Sequence, residues 1–157
     1  MSVPALEARA ACRGFALVEL TIVLLIAGLL LVISWPRIRT SLDRADVKSA
    51  CTAIVSLHGR ARSNAVGTSR LTRLRIAGNR VLVTAVPRLR AGSGIMDTIG
   101  PVEDLRDRYG VSVRTWPVSE VTIDGRGIGS PTEMVVRISK GSASDSVLVV
   151  QFGRVIR

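Results

Sequence analysis

Apolar residues run from Phe15 to Ile33, FALVELTIVLLIAGLLLVI, with Glu19 as the single charge. As a helix this stretch rises roughly 28 Å, and about twenty apolar residues cross a bilayer. A core helix of a soluble protein is rarely apolar on every side over such a length, so the pattern predicts a membrane-spanning helix. Pro36 follows closely and predicts an interruption or a kink. Beyond it Ile38, Leu42, Ala45, Ala53, Ile54, Leu57, Ala61 and Ala65 recur at mostly helical spacing. Arg39, Asp43, Arg44, Asp46, Lys48 and Arg60 fill the positions between. This predicts an amphipathic continuation of the helix to about Asn64, ended by Gly67.

The period then shortens. Leu71–Ala77 and Val81–Val86 flank Gly78-Asn79, a two-residue turn of hairpin type. Pro87 to Pro101 is rich in Gly and Pro and reads as a long loop. Glu103–Tyr109 is polar and reads as a helical turn. Val111–Trp116 and Val118–Ile123 read as short strands, followed by a glycine-rich turn from Asp124 to Pro131. Met134–Ser139 and Ser146–Phe152 form a further strand pair, and Gly153–Arg157 closes the chain. The expected fold is α+β: a long N-terminal helix, membrane-spanning in its first half, packed on an antiparallel β-sheet head. The corresponding segments are 15–35 for the span, 36–66 for the amphipathic continuation and 67–157 for the β-rich head.

Charge adds a bias without naming a partner. The formal net charge is +10, and all but Arg9 and Arg13 of the 22 Lys and Arg residues lie beyond Trp35. Only Lys48 and Lys140 are lysines. Such a surface suits nucleic acid, lipid headgroups or acidic proteins, and an arginine-heavy balance equally reflects genome composition. Two cysteines, Cys12 and Cys51, make a weak case for a disulfide. A lipoprotein anchor at Cys12 fails because the apolar run follows that cysteine. His58 is the single histidine, and no Cys/His cluster accompanies it, so a metal site is not expected. No nucleophile elbow surrounds His58, which reads as an exposed or partly buried structural residue. Asp124–Ser130 lacks the Gly-Lys-Ser/Thr ending of a phosphate loop and reads as a plain turn. Neither an enzyme nor a cofactor is expected.

The apolar run admits three readings. A secretory signal would end in a small-x-small cleavage site, which Val32-Ile33-Ser34-Trp35-Pro36 does not offer. A simple membrane-anchored domain leaves Glu19 unexplained, since an ionisable group in hydrocarbon costs about 2.5–3.5 kcal/mol and is usually kept for a partner. The third reading uses every residue. Arg13-Gly14-Phe15-Ala16-Leu17-Val18-Glu19 resembles the processing site of type IV pilins and pseudopilins. The resemblance implies a leader, residues 1–14, cut by a prepilin peptidase between Gly14 and Phe15, with N-methylation of Phe15. It also implies an assembly ion pair between Glu19 and the Phe15 amine of a neighbouring subunit. A buried carboxylate and ammonium are tolerable together and costly apart. Family members are single-pass proteins of the bacterial inner membrane, N-terminus cytoplasmic and head periplasmic, that enter a filament with other pilin subunits. Charge counting disagrees mildly with that orientation, because Arg37, Arg39, Arg44 and Lys48 follow the span closely. A proline near Pro36, as the place of the helix kink, also fits the family.

Ala61-Arg62-Ser63-Asn64-Ala65 and Phe152-Gly153-Arg154-Val155 are similar to the helix end and closing strand of the GspH/FimT branch. Asn64 stands where that branch usually has an acid. The branch implies a minor pseudopilin of a type II secretion system or a type IV pilus. Its FimT side also implies an alternative, a DNA-binding minor pilin for uptake in natural transformation. The candidate DNA contacts are Arg154 and Arg157 in the tail, with Arg73 and Arg75 on the first hairpin and Arg70 and Arg80 extending them. Aromatic residues are scarce past the span, so such binding would be mainly to phosphates and strongly salt-dependent.

Overall fold

The computed structural model describes residues 11–87, 97–150 and 155–156, and the side chains of 17–87 and 97–150. The chain divides into two compact units, Met1–Arg39 and Thr40–Arg157. One helix, α1 (Ala11–Thr68, 58 residues), runs through both and contains Pro36. The helix does not break at Pro36, which leaves a kink as the form that the expected interruption or kink would take. A proline removes one backbone donor and crowds the carbonyl four residues back, a local defect within 58 residues of continuous helix.

In the first unit every large apolar side chain from Leu17 to Ile33 is more than half exposed. In the second, α1 buries Val47, Ala50, Cys51, Ile54, Leu57, His58, Ala61 and Ala65. These follow the three-and-four spacing of one helix face. Ile38, Leu42 and Ala45, expected on that face, are exposed instead. The reason is rotational: at about 100° per residue, Ala45 lies about 180° from Ile54. The helix ends one residue past Gly67. Ser69 takes the left-handed conformation (φ 51°), its N–H donates to Val66 O, and the Arg70 N–H donates to Ala65 O. Those two bonds make a Schellman cap.

The head holds two antiparallel sheets where a single sheet was expected. The first contains β1 (Thr72–Ala77), β2 (Arg80–Ala85), β3 (Asp97–Thr98), β4 (Glu103–Asp104) and β6 (Glu120–Ile123). Its order is β3-β2-β1-β6, with β4 also pairing β2. The hairpin at Gly78-Asn79 forms as read, with Ala77 opposite Arg80 and Gly78 at φ 62°. The second sheet contains β5 (Ser112–Trp116), β7 (Met134–Lys140), β8 (Ala143–Val149) and β9 (Val155–Ile156), in the order β5-β7-β8-β9. The chain changes sheets after Trp116, whose bond to Pro117 is cis. β8 begins three residues earlier than expected, because Ser144-Asp145-Ser146 is polar yet pairs fully with β7. Between β4 and β5 lies α2 (Leu105–Tyr109), capped by Asp104 Oδ1, which accepts the Arg106 and Asp107 amides.

Leu74, Ile76, Val81, Val83, Val121 and Ile123 of the first sheet join Met134, Val136, Ile138, Val147 and Val149 of the second in one core with α1. Lys140 ties three elements together at the periphery. Its Nζ donates to Asp46 Oδ2 of α1 at 2.6 Å and to Tyr109 O of α2 at 3.0 Å. The Asp124 turn presses close to the end of α1: a Cβ on Gly125 would stand 3.1 Å from the Ser69 backbone. Asp124 Oδ1 accepts the amides of Arg126 and Ile128, so the glycine-rich segment is a self-bonded turn.

Candidate functional site

Gly14 and Phe15 lie within α1. The side chain of Phe15 lies outside the described residues, as does most of the leader. Glu19 is exposed on α1, one turn and roughly 6 Å along the axis from Phe15. A chain beginning at Phe15 would bring that carboxylate into the opening turns of its helix, near the positive end of the dipole. The segment from Leu17 is the one described helix long and apolar enough to cross a membrane. At its far end the Arg39 guanidinium stands over the Trp35 ring, 5.3 Å from the centroid. A tryptophan stacked by a cation suits the polar boundary of a bilayer.

The arginines of the first hairpin are not equivalent. Arg73, half-buried on β1, pairs with Glu120 of β6 at 3.5 Å. Arg70 pairs with Asp97 at 3.3 Å and Arg80 with Asp104 at 3.2 Å. Arg75 is exposed and has no ion pair among the described residues. The charge read as one patch is therefore largely spent on neighbouring acids. Arg154 and Arg157 lie outside the described residues.

His58 is buried, 2% exposed, deeper than its sequence context suggested. Burial lowers its pKa below 6.5, and the charge of Arg62 one turn on lowers it further. Its Nε2 has no hydrogen-bond partner. Since the folded value lies below the unfolded one, the unfolded chain binds the extra proton first. Stability of the head should be full above pH 6.5 and fall as pH drops from there toward the folded value. Thermal midpoints of the full chain in detergent, taken from pH 8 to pH 5, should show that slope, and His58→Leu should flatten it. An equal slope in the variant would assign it to other groups.

An open groove of about 570 Å³ is lined by Lys48, Thr52, Ser56, Arg60, Arg108 and Tyr109, among others. His58 is not part of its wall. Among the described residues no three His, Cys, Asp or Glu side chains come together in a metal-binding group. The N-terminal segment combines a glycine at position 14, an acid at position 19 and an apolar helix exposed from Leu17 to Ile33.

Residues 9–35 match the prokaryotic N-terminal methylation motif. The chain carries a prepilin-type motif at the head of a pilin-like fold. Two solved proteins illustrate that fold. The type IV minor pilin FimU of Pseudomonas aeruginosa superposes with a TM-score of 0.57 at 20% identity, over 72% of this chain and 88% of that one. The minor pseudopilin EpsH of the Vibrio cholerae type II secretion system gives 0.55 at 14% identity, over 72% and 93%. No curated protein matches the chain. Both superpose over most of their own length, at identities that speak for the fold alone.

Proposed function

We propose that this chain is a minor pseudopilin of the GspH/FimT branch, a non-catalytic subunit of a type II secretion or type IV pilus filament. The observation that carries the reading is the methylation motif at residues 9–35, set on an apolar helix that nothing in its own unit covers. In this reading a prepilin peptidase cuts between Gly14 and Phe15 and Phe15 is N-methylated. The chain then waits in the inner membrane as a single-pass protein, N-terminus cytoplasmic and head periplasmic. It joins other pilin subunits through α1, with Pro36 as the place where the helix bends. Intact-mass analysis of the membrane-extracted protein should find a chain starting at methylated Phe15. A chain that keeps Met1 would make it a simple anchored domain.

Glu19 registers the incoming subunit by pairing with the Phe15 amine of its neighbour. Breaking a buried ion pair on one side costs roughly 3 kcal/mol or more. Glu19→Gln should therefore be cut and methylated normally yet be recovered with the other subunits at roughly a tenth of the normal level or less. Recovery at the normal level would remove the registering role.

A further inference from the structure

The outward face of the second sheet has an uncommon register. Arg114 of β5 stands directly opposite Arg137 of β7, and both side chains are exposed. Like charges directly opposite each other on a sheet repel and are destabilising. Neither arginine has an ion pair among the described residues, whereas Arg70, Arg73, Arg80 and Arg108 each have one. Asp145, the acid within β8, is opposite Ile138, a buried position, and so belongs to the other face. The row next to the arginines is apolar: Trp116 opposite Val135, and Val135 opposite Leu148. Trp116 is 45% exposed. The row on the other side is Ser112, Ser139 and Ser144, small and uncharged.

Adjacent rows on one face are two residues apart along a strand, roughly 6.7 Å. A pair of guanidiniums and a shallow aromatic-aliphatic ledge therefore sit side by side at that spacing. We propose that this face docks an extended segment of a partner protein, one that presents a carboxylate to Arg114 and Arg137 and an aliphatic side chain two residues away to Trp116, Val135 and Leu148. The carboxylate accepts hydrogen bonds from both guanidiniums and relieves their repulsion, while the aliphatic group covers the ledge. Two features favour a peptide over a nucleic acid. Two of the three ledge residues are aliphatic and offer no face for base stacking, and two cations neutralise too few phosphates to hold a strand at physiological salt. The inference does not depend on filament assembly.

The test uses the full chain in detergent micelles carrying Trp35→Phe, which leaves Trp116 as the one tryptophan. Its fluorescence is titrated with the capped peptide TLTETLTE, whose Leu and Glu side chains share one face when extended, and with the glutamine analogue TLTQTLTQ. The first should shift the emission and bind at least tenfold more tightly than the second. Arg114→Thr and Arg137→Gln should each weaken binding at least fivefold. In the free protein each should raise the thermal midpoint of the head by about 1–3 °C, because the like-charge pair is gone. Equal binding of the two peptides, absence of any shift, or unchanged binding by both variants overturns the proposal. So does a lowered midpoint in both variants, which would show the arginines already compensated within the fold. A twelve-residue oligothymidine that binds more tightly than the peptide at 150 mM salt, through the same arginines, would make the face a nucleic-acid surface instead.

Discussion

Gly14→Val should stop maturation of the chain altogether. In membranes from cells that process the wild type fully, the variant should persist as the uncut, unmethylated precursor. The argument is local. Gly14 lies in α1, and a glycine weakens its turn of the helix by roughly 1 kcal/mol relative to alanine. That turn can open to present the peptide bond before Phe15, and a residue without a side chain lets a peptidase approach it closely. A β-branched side chain removes both advantages. The apolar segment from Leu17 is untouched, so the variant should still partition into the membrane. Intact mass separates the outcomes: a chain starting at Met1 is expected, and a methylated Phe15 terminus at wild-type yield would sink the processing reading. Because the Phe15 amine would never be released, the variant should also fail to join other subunits, as is expected of Glu19→Gln after normal cutting. The two variants thus separate the cut from the ion pair it exposes.

The prepilin-type motif was legible in the sequence because its determinants are contiguous. Gly14, Phe15 and Glu19 need only their spacing, and an all-apolar run needs only its length. The hairpin at Gly78-Asn79 was equally local, since its turn residues and flanking alternation fall within one window. Features set by distant partners were not legible. Nothing in Val111–Ile123 says that β5 joins β7 while β6 joins β1, because both segments carry the same alternation. The polar run Ser144-Asp145-Ser146 hid the first half of β8, whose strand character comes from pairing with β7. For the same reason Arg114 and Arg137 are unremarkable 23 positions apart in the chain, and become a pair only through the register. The ion pairs of the hairpin arginines were hidden likewise, since Glu120 and Asp104, which pair with Arg73 and Arg80, are remote in sequence.

The inward face of α1 was misread because the stretch from Ala45 to Ile54 hid a half-turn of drift. The corrected face has a consequence for what the two halves of the helix do. Ile38, in the first unit, and Leu42, in the second, are both exposed. Val47 to Ala65 serve the core of the head. Within the second unit α1 therefore has an exposed apolar residue, Leu42, apart from the inward face that serves folding.

Ile54→Ala tests that division with the largest stability effect expected in the head. Ile54 is fully buried in the core cluster. Truncating such a side chain costs about 2–5 kcal/mol, through lost transfer energy and the cavity left behind. A domain of this size is stable by about 5–15 kcal/mol, so the variant should lose a large share of its margin. Ile54→Val, which removes one methylene, should cost about 0.5–1.5 kcal/mol. Leu42→Ala removes a comparable volume from an exposed site and should change stability by no more than about 0.5 kcal/mol. Urea unfolding of the full chain in micelles, followed by Trp116 fluorescence in the Trp35→Phe background, ranks the three. Leu42→Ala should instead reduce co-purification with other subunits, because its side chain belongs to the uncovered surface. If Leu42→Ala destabilised the head as much as Ile54→Ala, the inward face would begin before Val47 and the assignment of the two surfaces would be wrong.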